Sequence, residues 1–138
     1  MQVGASEKRG IRTANAPTPT GPFSQAIRIG NLIFVSGQAG RNRETGQLGD
    51  AREQTEWSLR NVTAILAEAG ATLDDVVKTT VYLRDASLSK EMSDEYVKHF
   101  KEPLPARSTN CVVAQRPTGR SAPLGKVPEA SKKRAVSW

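Results

Sequence analysis

Apolar residues repeat along this chain at two spacings, and each change of spacing marks a new element. Residues 25–29 and 32–37 are short β-prone runs separated by Gly30-Asn31. A Gly-Asn pair supplies the positive φ that tight primed turns need, so these runs are predicted to form a hairpin. A polar, glycine-containing loop follows over 42–49. Asp50 with Glu53 has the form of a capping box with Asp as the N-cap. Beyond it Leu59, Val62, Leu66 and Ala69 recur at three- and four-residue spacing beside Ile65, giving one apolar helix face that stops at Gly70. Residues 76–83 are rich in β-branched side chains and read as a strand, with Val77, Thr79, Val81 and Leu83 on one face. Leu88, Met92, Tyr96 and Phe100 then repeat every four residues, predicting a second helix opened by Ser87 or Ser89 and ended by Pro103 and Pro105. A further strand is expected over 108–114.

The predicted order is therefore β-β-α-β-α-β, a sheet with helices packed on one face. Such a sheet leaves its other face bare, so association through that face is expected. Residues 1–20 are polar and end in Ala16-Pro17-Thr18-Pro19-Thr20, which reads as an extended or mobile lead-in. After Gln115 the pattern fails: Pro117, Pro123 and Pro128 interrupt it and no periodic run survives. The expected division is one domain over 1–115 followed by a divergent tail over 116–138.

With 138 residues the chain is of single-domain size, and 37% hydrophobic with 25% charged residues is a globular mixture rather than a disordered one. The longest apolar run, Leu32-Ile33-Phe34-Val35, is strand-sized and far short of the roughly 20 residues that span a bilayer. The first 15 residues have no apolar core of a secretory signal, which gives a cytoplasmic expectation with no membrane partner. The net charge of +6 is unevenly placed. Six cations (Arg116, Arg120, Lys126, Lys132, Lys133, Arg134) face Glu129 alone in 115–138, while the rest of the chain is nearly balanced. A basic tail on a near-neutral body does not describe a nucleic-acid-binding face.

Candidate chemistry is sparse. Cys111 cannot form an internal disulfide and, mid-strand, reads as a core thiol. His99 reads as a surface residue, and one histidine with one cysteine makes no metal site. Asp74-Asp75 point apart on entering a strand. Glycine-rich phosphate loops and serine elbows are absent. What remains is Arg107, after Pro105-Ala106 at the mouth of the last clear strand, and Ser36-Gly37-Gln38 at the end of the second. A guanidinium is a planar two-point donor matched to a carboxylate, and a glycine ending a strand lets a ligand approach the backbone.

Taken in order, Ala16-Pro17, Gly21-Pro22-Phe23-Ser24-Gln25-Ala26, Gly30-Asn31-Leu32-Ile33-Phe34-Val35-Ser36-Gly37-Gln38, Thr45-Gly46, Asn61-Val62 with Ala69-Gly70, Asp75-Val76-Val77-Lys78-Thr79-Thr80-Val81-Tyr82-Leu83, and Pro105-Ala106-Arg107-Ser108 resemble the Rid family. These are the reactive-intermediate imine deaminases also known as the YjgF family, and the resemblance covers roughly residues 12–114. It implies a chorismate-mutase-like α/β (α+β) fold, a mixed sheet with two helices on one face, and a homotrimeric barrel with active sites between subunits. It also implies hydrolysis of 2-imino acids or their enamines (2-iminopropanoate, 2-iminobutanoate) to 2-keto acids and ammonia, without cofactor or metal. On this resemblance Arg107 clamps the substrate carboxylate, Gly37 with Ser36 contributes contacts to the substrate, and Phe23 and Thr109 line the pocket. An imine carbon is already electrophilic, so holding the carboxylate and placing a water supplies most of what the reaction needs. A carboxylate handling that water would add ~10²–10⁴-fold.

The sequence also departs from the family's pattern. Phe23 stands where the family has tyrosine, Ser93 where deaminating members usually have asparagine, and Cys111 lies two residues later than the family's frequent cysteine. The expected glutamate-bearing last strand would fall near Ala122, where none is readable, and Glu129 is the sole carboxylate of the tail. Two alternatives stand beside the deaminase. One is a non-catalytic trimer that binds a small carboxylate at Arg107. The other is an RNA-directed role of the endoribonuclease L-PSP type or as a translation inhibitor, for which the basic tail is the only support. Aromatics at 5% are few for a base-stacking surface, so a small-molecule partner is favoured over nucleic acid.

Overall fold

The predicted hairpin forms around Gly30, whose φ of 54° is the left-handed conformation the turn requires. In the computed structural model, which describes residues 7–112, 126–127 and 131–132, it joins β2 (Ala26–Ile29) to β3 (Leu32–Val35), with Ala26 opposite Val35 and Ile29 opposite Leu32. The lead-in is more ordered than its polarity suggests. Residues Arg9–Ile11 form β1, antiparallel to β2. The buried side chain of Gln25 fastens the stretch after it, accepting from the Thr13 N–H at 2.7 Å and donating to the carbonyls of Thr13 and Pro17 at 3.1 and 2.9 Å. A long polar side chain thus supplies the partners that the proline-rich backbone cannot find in a ladder.

Helix α1 (Ala51–Glu68) begins where its cap predicts: the Asp50 side chain accepts from the Glu53 N–H at 2.9 Å. It ends with Gly70 at φ 72°, the left-handed position beyond the last turn. Its buried stripe is wider than the apolar residues alone, because Gln54, Thr55, Ser58 and Asn61 are buried with Leu59, Val62, Ile65 and Leu66. Two of the polar members bond to the short strand β4 (Gln38–Ala39). Ser58 donates to the Gln38 carbonyl at 3.0 Å and Asn61 to the Ala39 carbonyl at 3.4 Å. Gly40 lies directly against the Gln54 backbone, with no room for a Cβ.

Strand β5 (Val76–Leu83) follows a single turn of tight helix capped by Thr72. The second helix is shorter than its four-residue repeat suggests. A tight turn at Ala86–Leu88 is capped by Asp85 rather than by a serine, α2 runs Ser89–Tyr96, and a tight turn over Val97–His99 finishes it. Strand β6 (Ala106–Cys111) then lies parallel to β5, from Lys78 opposite Ala106 to Leu83 opposite Cys111.

Two short strands, β7 (Lys126–Val127) and β8 (Ser131–Lys132), enter the sheet where no element was expected. β8 lies between β3 and β5, with Ser131 opposite both Phe34 and Lys78, and β7 lies between β4 and β5. Their composition carries no β pattern. The β3, β4 and β5 edges provide the pairing, and that is information held outside the segment. Both helices pack on one face of the sheet, where Ile33, Val35, Leu59, Val62, Ile65, Leu66, Val81, Met92 and Tyr96 form the core. On the other face Ile27 and Phe34, opposite each other, remain half-buried and Ile29 is exposed. Every residue of β6 is exposed. Cys111, expected in the core, is therefore an exposed free thiol at the end of a strand whose residues are all exposed.

Candidate active site

Arg107 sits at the second position of β6, in register with Thr79 of β5. That register puts its side chain on the helix-bearing face, over α2. There Nη2 donates to Ser93 Oγ at 3.0 Å and Nη1 approaches Met92 Sδ at 3.9 Å. The guanidinium carbon lies 4.8 Å from the centre of the Tyr96 ring, a cation–π distance. Beneath it the Tyr96 hydroxyl is hydrogen-bonded to Thr79 Oγ1 at 2.8 Å. Burial pushes the Tyr96 phenol above its ordinary pKa, against the opposing effects of the Thr79 bond and the Arg107 charge, so the ring stays neutral. Among the described residues no carboxylate lies within ion-pair distance of Arg107. The described partners of the arginine are thus all neutral groups.

Ser36 and Gly37 follow β3 and are positioned from three sides. The Ser36 N–H donates to the Gln25 carbonyl at 2.9 Å, its hydroxyl donates to the Ser24 carbonyl at 2.6 Å, and Gln38 Nε2 donates to its carbonyl at 3.1 Å. The exposed Gly37 lies between β3 and β4, beside the Ser36 these bonds fix. Phe23 is 51% exposed and borders a cavity of ≈ 340 Å³ with Arg12, Thr18, Pro19 and Ser24. Thr109, two residues beyond Arg107, is exposed on β6. A separate apolar cavity of ≈ 190 Å³ between the start of α1, the end of β5 and the start of α2 contains none of these residues.

The candidate residues therefore form two groups. Arg107 and Thr109 lie on β6, while Phe23, Ser36 and Gly37 lie at β2 and β3. Across the order β3-β8-β5-β6 the groups are three strand spacings apart, about 14 Å at the usual interstrand distance. Within one chain they do not meet. Of the departures, Ser93 is adjacent to Arg107, whereas Ala122 and Glu129 lie outside the described residues. His99 is half-buried rather than a plain surface residue, with Nε2 3.0 Å from Glu95 Oε1. Burial alone would raise the Glu95 pKa, but hydrogen bonds from Lys98 and His99 outweigh it and hold the carboxyl below its ordinary value. Among the described residues no three His, Cys, Asp or Glu side chains gather as a metal site would need, and no helix is long and apolar enough to cross a membrane.

The family model described as Endoribonuclease L-PSP matches residues 13–119. This chain belongs to the Rid family. It is 51% identical over 102 residues to a RutC family protein of Pyrococcus abyssi, covering 72% of this chain and 80% of that protein. It is 39% identical over 109 residues to the human 2-iminobutanoate/2-iminopropanoate deaminase, covering 78% and 80%. Among solved structures it resembles that of a Thermotoga maritima protein described as a putative endoribonuclease, with a TM-score of 0.79 and 38% identity over 93% of this chain and 98% of that one. The structure of E. coli TdcF with bound serine gives a TM-score of 0.76 and 31% identity, covering 92% and 99%. Rid membership accounts for the mixed α/β architecture with two helices and for the ordered motifs. Sequence reasoning missed Tyr96 as part of the site, placing it only on an apolar helix face. The available signal was its hydroxyl, since a buried tyrosine needs a partner.

Proposed function

We propose that this chain is a hydrolytic deaminase that converts small 2-imino acids, such as 2-iminopropanoate and 2-iminobutanoate, to 2-keto acids and ammonia. The observation that carries the reading is Arg107, whose guanidinium is held by Ser93, Met92 and Tyr96 with no described carboxylate to neutralise it. A fixed, uncompensated fork at an open edge is a receptor for a carboxylate. The deaminase named among its relatives and the serine bound to TdcF are both consistent with a small 2-amino or 2-imino carboxylate.

With the carboxylate on Arg107, water adds to C2 of the imine, the C=N bond becomes C–N, and the nitrogen takes a proton. The resulting carbinolamine expels ammonia as its hydroxyl becomes the keto oxygen. The separation of Arg107 and Thr109 from Phe23, Ser36 and Gly37 supports a site shared between subunits, in a cytoplasmic homotrimer that joins one chain's β6 to another's β2–β3 region. The exposed β6 edge and the apolar Ile27–Phe34 patch favour such association. The test is a coupled assay in which a pyridoxal enzyme generates iminopropanoate and a trapping agent competes for it. Faster ammonia release with the intact protein, lost in Arg107→Ala, is expected. Equal rates with and without protein would remove the reading.

A second reading, a trimer that binds small carboxylates without turnover, is favoured by Phe23, which has no phenol to bond a ligand. Calorimetric binding of pyruvate without ammonia release would select it.

A further inference from the structure

Arg107 stands on an exposed edge strand, where a long side chain ordinarily samples many rotamers. A clamp that must be ordered by its ligand loses that freedom on binding, whereas one ordered in advance does not. Ser93 and Tyr96 both hold it here, and Tyr96 is itself tied to the strand that carries the clamp's neighbour.

Three contacts close a ring, and a fourth supports it from outside. Arg107 pairs with Thr79 across the β5–β6 ladder. Thr79, 2% exposed, is hydrogen-bonded at 2.8 Å to the Tyr96 hydroxyl. Tyr96, 4% exposed, turns its ring face to the guanidinium at 4.8 Å. It also packs against Phe100, with ring centres 4.6 Å apart and planes tilted by 35°. The ring is therefore fixed by its hydroxyl and by Phe100, and it presents a negative π face at the height where Arg107 crosses α2. A carboxylate in the same place would hold the arginine more strongly but would take up its charge. A neutral aromatic face holds it and leaves it positive.

We infer that Tyr96 is a positioning residue for the Arg107 clamp, its ring acting as the platform that sets the guanidinium plane and Thr79 acting as the anchor of that platform. This deepens the proposed carboxylate-binding role of Arg107 and rests on it for its functional consequence. Ser93 fixes Nη2 from the side, and Tyr96 fixes the plane. The fork then meets an incoming carboxylate already oriented.

The test uses the full chain and two independent readouts. Calorimetry with pyruvate is expected to show about tenfold weaker binding in Tyr96→Leu, the loss of one partly desolvated cation–π contact. Tyr96→Phe, which keeps the ring but loses the Thr79 anchor, is expected to bind with an affinity between those of Tyr96→Leu and wild type. The second readout is the Arg107 side-chain N–H resonance, assigned by its absence in Arg107→Lys. Ring current moves it upfield in the wild type and in Tyr96→Phe, and the shift disappears in Tyr96→Leu. A wild-type Arg107 resonance at its unperturbed position would overturn the inference without any Tyr96 variant, so a poorly folded Leu variant does not block the test. Pyruvate affinity in Tyr96→Leu within twofold of wild type would also overturn it. If the wild type binds no pyruvate while the Arg107 shift follows the ring, the carboxylate role fails and the positioning stands.

Discussion

Replacing Arg107 by lysine separates charge from geometry. Lysine keeps the positive charge but has no planar fork, so it cannot offer two parallel donors or lie flat on Tyr96. In the structure the arginine side chain has three defined partners, at 3.0 Å to Ser93, 3.9 Å to Met92 and 4.8 Å to the Tyr96 ring. A two-point carboxylate pair reduced to one point loses one charge-assisted hydrogen bond, worth about 1.5–3 kcal/mol. That corresponds to roughly 10- to 150-fold weaker pyruvate binding. Because Arg107 lies on an exposed strand and its partners are neutral, no buried charge is stranded, and Tm should move by no more than about 2 °C. Calorimetry beside a thermal melt makes both measurements on one sample. Lysine binding within threefold of wild type would refute the two-point argument, leaving Arg107 as a point charge only.

Two further outcomes follow from the packing. Gly40→Ala would drive a methyl group into the Gln54 backbone of α1, which no side-chain rotation relieves, so urea unfolding should show a loss of about 1–3 kcal/mol. Glu95 is buried and its carboxyl is held below the ordinary value of 4.5 by Lys98 and His99, so ionisation is favoured in the folded state. The stability that Glu95 adds over Glu95→Gln, about 1 kcal/mol for a charged against a neutral hydrogen bond, is then fully present above pH 4.5. It is lost as pH falls through the lowered folded value, so the two melting curves should converge in acid, and a gap that widens there would contradict this assignment.

Much of the fold is legible locally. Asp50 and Gly70 bracket α1 because capping and a left-handed stop are chemistry between near neighbours. The β-branched run yields β5 over the predicted residues, and Gly30 turns the hairpin. Arg107 and Gly37 stand out from composition and position, and the ordered motifs point to the Rid family before any coordinates. Other features escape a local reading. Ser58 and Asn61 stand outside the apolar periodicity of α1, yet are buried with β4 carbonyls as their partners.

Periodicity along a chain reports which side of an element is apolar, so the sequence by itself determined the helices and the central strands and singled out Arg107 as a candidate. It says nothing of which strands become neighbours, because pairing is set by hydrogen bonds between segments remote in sequence. Only the tertiary structure decided that β7 and β8 enter beside β3, β4 and β5, and that β6 is an exposed edge bringing Cys111 to the surface. It also decided that Arg107 lies over Tyr96 while Phe23, Ser36 and Gly37 stand across the sheet. The register of Thr79 with Arg107 is the physical reason, since it places a β6 side chain on an α2 ring that the sequence alone shows only as one more apolar position.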